Sequence, residues 1–329
     1  MGSIDKLIAY KDRLYVLDKN IAKSLLAFNR EGTFIEKIGT MGQGPNEYIK
    51  IKDFTVNTNK NEIILLDANK MIFYDLDGKY LKSVQLHDED CVITTLQYFN
   101  DLIYTDIHAF QKKEDDCLLQ VVDIDNGMRK TRFLKTNEQN KGWNETFVAN
   151  MNYFIPKLDP PFLFRHSFMD TIFSITNKGL SPYLVVKSKD MITEKDLVLP
   201  SNTDPFDFLR SLSEKDKIYN IFSYFETNNY ISFQYFKGTN LKYVIYNKKD
   251  RTTRIAEDLY NDLVFTGKQP YTTRFIFFDK NGVYEYINSN KSPYLLSFIR
   301  DKKLKERFND QLKDFNEDSN PVIFYYEFK

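Results

Sequence analysis

The chain has 329 residues, with 46 basic and 46 acidic side chains, 28 Phe, 22 Tyr and two Cys. Balanced charge leaves no basic excess to neutralise phosphates, which argues against a nucleic-acid binder, and the ample apolar content argues against disorder. No apolar run approaches the roughly 18 residues that span a bilayer, so no transmembrane segment is expected, and no signal peptide is visible.

The pattern of short strands begins at once. Lys6 to Tyr10 and Arg13 to Asp18 read as strands around a Lys11-Asp12 turn, followed by Ser24 to Phe28, the turn Asn29-Arg30-Glu31-Gly32, and Thr33 to Ile38. A second unit repeats this with Phe54 to Asn57, Glu62 to Asp67, Met71 to Asp75 and Lys79 to Leu86, the last two joined at Asp77-Gly78, a strong hairpin signal. Leu14 to Asp18 matches Ile63 to Asp67 about 49 residues on, within the 40 to 50 residues of a propeller blade.

Later units are more degenerate. A third has Asp101 to Asp106, Leu118 to Ile124 and Arg129 to Leu134, and residues 135 to 152 read as a polar insertion carrying Trp143. A fourth has Phe162 to Arg165, Asp170 to Ile175 and Tyr183 to Val186. A fifth has Tyr230 to Tyr235 and Lys242 to Tyr246, and a sixth has Arg274 to Phe278, Val283 to Ile287 and Val322 to Phe328. Pro205 to Leu212 has helical spacing with proline suited to a first turn. Ile299, Leu304, Phe308, Leu312 and Phe315 predict an amphipathic helix that covers a blade edge or meets a partner. The expectation is an all-β, six-bladed β-propeller of four-stranded antiparallel blades with short helical insertions. It forms one domain over 1–329, closed by pairing of the C-terminal strand with N-terminal strands so that no edge stays open.

Four stretches resemble the six-bladed propeller family of Bacteroidetes related to NHL-repeat propellers. They are Lys37-Ile38-Gly39 with Gly42-Gln43-Gly44-Pro45-Asn46-Glu47-Tyr48, Asp170-Thr171-Ile172-Phe173 with Leu180-Ser181-Pro182-Tyr183, Tyr260-Asn261-Asp262-Leu263, and Asp318-Ser319-Asn320-Pro321-Val322. The family usually has glycine where Asn46 stands and more often tyrosine where Phe173 stands. The resemblance implies a cell-envelope protein, periplasmic or at the outer-membrane surface and often a lipoprotein, that binds or scaffolds. The chain has no lipobox.

Candidate ligand-binding residues are Glu47 and Tyr48, which would offer a carboxylate and an aromatic face from a blade linker at a rim, and Asp53 just beyond them. Arg165, His166 and Asp170 form the most site-like cluster, because Arg grips carboxylate or phosphate and His exchanges protons near neutrality. The plainer reading pairs Arg165 with Asp170 across a strand turn, and makes Tyr48 a packing residue between blades. Asp75-Leu76-Asp77-Gly78 and Asp123-Ile124-Asp125-Asn126-Gly127 lack the later ligands of a calcium loop and read as hairpins. His87-Asp88-Glu89-Asp90 and Asp115-Asp116-Cys117 read as solvated loops, and His108 beside Asp106 has no nearby nucleophile in sequence. Cys91 and Cys117 read as two ordinary thiols rather than a disulfide. No nucleophile elbow, zinc-protease or Walker motif is present, so no catalytic residue, metal or cofactor is expected. The leading expectation is a non-enzymatic propeller binding a carbohydrate, peptide or protein at one rim or in the channel. The alternative is a metal-dependent hydrolase or lyase in the channel.

Overall fold

A computed structural model describes residues 2–68, 70–87, 90–109, 116–141, 153–197, 204–257, 275–279, 281–287, 299, 301–312, 316 and 319–327. Trp143, the Tyr260 to Leu263 stretch, Arg274, Asp115, Phe315 and Asp318 lie outside them.

Six antiparallel sheets follow one another along the chain as the blades of a six-bladed propeller. Blade 1 is Lys6–Tyr10, Arg13–Asp18, Ser24–Asn29 and Phe34–Ile38; blade 2 is Ile51–Asn57, Glu62–Asp67, Lys70–Asp75 and Tyr80–Gln85. Apolar and aromatic residues on a two-residue period make these strands. Gly32 and Gly78 supply the left-handed corners of the outer hairpins, at φ 85° and 72°. Blade 3 opens with Leu96–Phe99 and continues through Leu102–Asp106, Cys117–Asp123 and Arg129–Lys135.

Blade 4 has an inner segment that the sequence reading did not place. Phe162–Phe164 is its second strand, because Phe154 bridges Phe164 and the Ile155 amide donates to the Leu163 carbonyl. Residues 153–155 are therefore the inner strand, with Thr171–Thr176 and Gly179–Val185 outside. Blade 5 is Ile218–Glu226, Tyr230–Lys237, Asn240–Asn247 and Thr252–Ala256. Blade 6 has three strands among the described residues, Phe275–Phe278, Gly282–Ile287 and Val322–Glu327.

The expected closure is corrected. Val322–Glu327 pairs with Gly282–Ile287, and Lys6–Tyr10 is the inner strand of a complete blade. Among the described residues the N-terminus therefore lends no strand to blade 6. Apolar packing joins the ends instead, since Phe277 and Tyr284 of blade 6 belong to the same core as Leu7, Tyr15 and Phe54. Further clusters fill the contacts of blades 2 with 3, 3 with 4, and 4 with 5 and 6. Each sheet thus buries faces against its neighbours that it could not bury alone.

Polar groups tie the inner strands near the axis. The Lys6 ammonium lies 3.0 Å from both carboxylate oxygens of Asp53 and 2.8 Å from the Phe54 carbonyl, while the Leu96 amide donates to Asp53 at 2.9 Å. These contacts join blades 1, 2 and 3. The aspartate closing the second strand of blades 1 to 3 has a shared structural role. Asp18, Asp67 and Asp106 accept backbone N–H groups from the segment entering their own blade: Gly2 and Ser3, Ile49 and Lys50, and Thr94 and Thr95 respectively. Burial alone would raise Asp18 and Asp106, yet these donors, with His108 at Asp106, hold both below the usual carboxylate value.

Both expected helices are present. Pro205–Glu214 packs Phe208 and Leu212 against Phe168 and Tyr219. Lys302–Leu312 brings Phe308 to Phe324 of blade 6, ring centroids 6.2 Å apart, and so lies along that blade's outermost described strand.

Candidate functional site

The inner strands all run the same way, so every connection from first to second strand emerges on one face, here called upper. In blades 1, 2 and 3 these are short turns. In blade 4 the connection spans 156–161, and its Leu158 packs against the core shared by blades 1, 2 and 6 and lies beside Tyr10 of blade 1 and Thr58 of blade 2. This segment therefore crosses the mouth of the channel.

Beside it opens a cavity of about 600 Å³, walled by Tyr10 and Lys11 of blade 1, Lys157 to Pro161 of blade 4, Glu226 to Asn228 of blade 5 and Phe277 to Asp279 of blade 6. A second cavity of about 180 Å³ lies against Tyr98, Asn100 and Phe162, sharing Thr58, Leu158 and Pro160 with the first.

Charge in the larger cavity is unevenly satisfied. The Glu226 carboxylate accepts the Lys248 ammonium, the Tyr183 hydroxyl at 2.7 and 2.8 Å, and the Tyr224 hydroxyl at 2.7 Å. Burial would raise Glu226, but these donors hold it below its ordinary value. Asp279 Oδ1 accepts the amides of Asn281 and Gly282 at 2.8 and 2.9 Å. Lys157 is half-buried, with Nζ 5.7 Å from the Phe278 ring centroid, and burial holds its ammonium below the usual lysine value.

The sequence-predicted residues all lie towards the other, lower face or in the core, and they do not converge. Tyr48 is fully buried in the core shared by blades 1 and 2. That burial favours the packing reading and takes its ring away from any rim ligand. Glu47 Oε2 folds back to accept the Gly44 amide at 2.8 Å, filling the space that a Cβ on Gly42 would need. Asp53 is committed to Lys6.

The expected pairing of Arg165 with Asp170 does not form. Arg165 donates to the Ile221 carbonyl in blade 5, and Asp170 accepts from the Thr171 hydroxyl at 2.7 Å. The reason is direction: the 165–170 connection runs along the lower face, and Arg165 points to the neighbouring blade.

His166 instead meets residues far away in sequence. It stacks on Tyr153 at 4.2 Å and stands 5.0 Å from His108, ring centroid to centroid, while His108 Nε2 lies 2.9 Å from Asp106. Among the described residues Nδ1 of His108 has no hydrogen-bond partner, and burial pulls His166 down to about 3. This group is sealed, with His166 only 3% exposed. Among the described residues no group of three or more His, Cys, Asp or Glu side chains could hold a metal ion. Neither Cys91 nor Cys117 is in a disulfide.

Sequence reasoning missed the whole upper cavity. Its residues come from separate turns, and no local signal marks them. The one clue was the repeat itself, since a ring of blades gathers equivalent connections at one mouth.

The family described as "Domain of unknown function (DUF4934)" matches residues 1–327. The fold is similar to that of a Bacteroides fragilis NCTC 9343 protein described as a "Putative exported protein", with a TM-score of 0.73 at 21% identity over 98% of this chain and 90% of that one. It is also similar to a DUF4221-family protein of Bacteroides vulgatus ATCC 8482, with a TM-score of 0.53 at 10% identity over 99% and 92%. Both likenesses concern the fold alone. No curated protein matches the chain.

Proposed function

The chain belongs to the DUF4934 family, and from that premise we propose that it is a non-enzymatic binding propeller of the cell envelope that takes a small ligand in the upper mouth of its ring. The cavity of about 600 Å³ beside the crossing segment carries this reading. Its size falls within the roughly 300 to 1,000 Å³ of small-molecule pockets. It also lies where six turns can vary without disturbing the blades.

A small carbohydrate or a peptide end is the kind of occupant this space accommodates. The exported description of the Bacteroides fragilis protein supports a place outside the cytoplasm, and no described helix is long and apolar enough to cross a membrane. A lipid anchor and NHL-like repeat ancestry belong to the same reading. A metal-dependent hydrolase or lyase gains less support, because no group of three or more His, Cys, Asp or Glu side chains among the described residues could hold a metal ion.

Calorimetry with a library of sugars, peptides and small acids tests the proposal. A compound that binds wild type should lose affinity when the exposed turn residues Thr58 or Asn228 are replaced by Trp, which narrows the mouth, while the melting temperature stays unchanged. Binding that is indifferent to both substitutions would place the site elsewhere.

A further inference from the structure

We propose that the ligand of this mouth carries a carboxylate, and that the Lys157 ammonium is the group that receives it. The inference rests on the binding reading above and adds the chemistry of the ligand.

The argument is one of unmatched charge. Lys157 is half-buried on the segment that crosses the channel, and its ammonium makes no hydrogen bond or ion pair with any described residue; it faces the Phe278 ring. Another cation of the same cavity is in the opposite condition, because Lys248 is held by Glu226 and by the Thr227 carbonyl at 2.6 Å. The Glu226 carboxylate is in turn saturated by Lys248, Tyr183 and Tyr224. Lys11 is exposed and keeps its water. Lys157 has therefore lost hydration without receiving a counter-charge, and the fields of Glu226 and Asp159 compensate only in part. An incoming anion supplies the missing partner.

The surroundings narrow the anion to a carboxylate. Phosphate is usually held by several converging donors, such as an Arg fork or a run of backbone amides. Here, among the described residues, Lys157 is the desolvated ammonium without a counter-charge, and Glu226, Asp159 and Asp279 line the same space. Three carboxylates repel a dianion more than a monoanion. The rest of the wall, including Leu158, Pro160 and the Tyr10 ring, suits an apolar or ring-bearing body attached to the acid.

Benzoate and its neutral isostere benzamide make the test. Wild type should bind benzoate about tenfold tighter than benzamide, the value of one charge-assisted contact. Lys157→Met should erase that preference, and Lys157→Arg should keep it. The preference should also fade with rising pH earlier than an ordinary lysine would allow, because only the ammonium attracts the acid. Each variant's melting temperature checks that the ring remains folded. Equal binding of the two probes at the mouth overturns the carboxylate inference and leaves the binding reading standing. Inorganic phosphate displacing benzoate at lower concentration also overturns it. If neither probe nor any library compound is sensitive to Asn228→Trp, the binding reading fails as well.

Discussion

Lys6 and Lys157 both stand near the propeller axis, one at the start of an inner strand and one at the upper mouth. Both are desolvated, and burial pulls both ammonium groups below the ordinary lysine value. Lys6 is matched, with Asp53 and the Phe54 carbonyl closing around it. Lys157 is not matched within the described chain. The difference teaches that burial alone does not mark a site. A buried charge that the fold itself neutralises is a clasp between blades, whereas one left for solvent or ligand to neutralise is an invitation to bind.

The sharpest way to break this comparison is to unmatch Lys6. Asp53→Ala leaves a buried ammonium and the Leu96 amide without their acceptor, and should cost about 3 to 5 kcal/mol in denaturant unfolding. Lys6→Met combined with Asp53→Leu should recover much of that loss. A single substitution as harmless as the double one would contradict the clasp.

Glu285 tests the same idea in the core. It sits opposite Phe275 and Phe324 in blade 6, and burial lifts it from 4.5 to about 7. The folded chain thus keeps a proton that the unfolded chain releases, so stability falls as pH rises through this window. Glu285→Gln should gain roughly 3 kcal/mol at pH 8 and remove that slope.

His166 slopes the other way. Its ring stays neutral when folded down to about 3, whereas the unfolded ring takes a proton near 6.5. Wild type should lose about 2 kcal/mol from this group between pH 6.5 and pH 5. The two slopes oppose each other over the shared range, so the Glu285→Gln background is where His166→Leu shows its effect in a pH series of melts. The smallest expected effect is on the stability of the Lys157→Met variant, within about 0.5 kcal/mol of wild type, since no partner is lost.

Much of the ring was legible because blades 1 and 2 state their period plainly. The runs at Leu14 and Ile63 and the hairpin glycines Gly32 and Gly78 recur at blade spacing and form the strands expected of them. The inner strands of blades 3 and 4 were not legible. Leu96–Phe99 and residues 153–155 are short, and their placement comes from neighbouring blades.

The recurring aspartates were visible as a repeat, but their task needed the fold, because their donors arrive from the entering segment. Proximity in sequence misled at Arg165 and Asp170, where direction separates neighbours. The upper cavity had no sequence signature at all. Tyr10, Lys157, Glu226 and Asp279 become neighbours only once the ring closes.

Lysine side-chain NMR on chain labelled with ¹³C and ¹⁵N lysine weighs the two ammonium groups in one titration. Lys157 is expected to deprotonate below 10.5, to move upward when benzoate is added, and to leave the Lys6 resonance unchanged. A Lys157 resonance that titrates like an exposed lysine and ignores every added ligand would contradict the account.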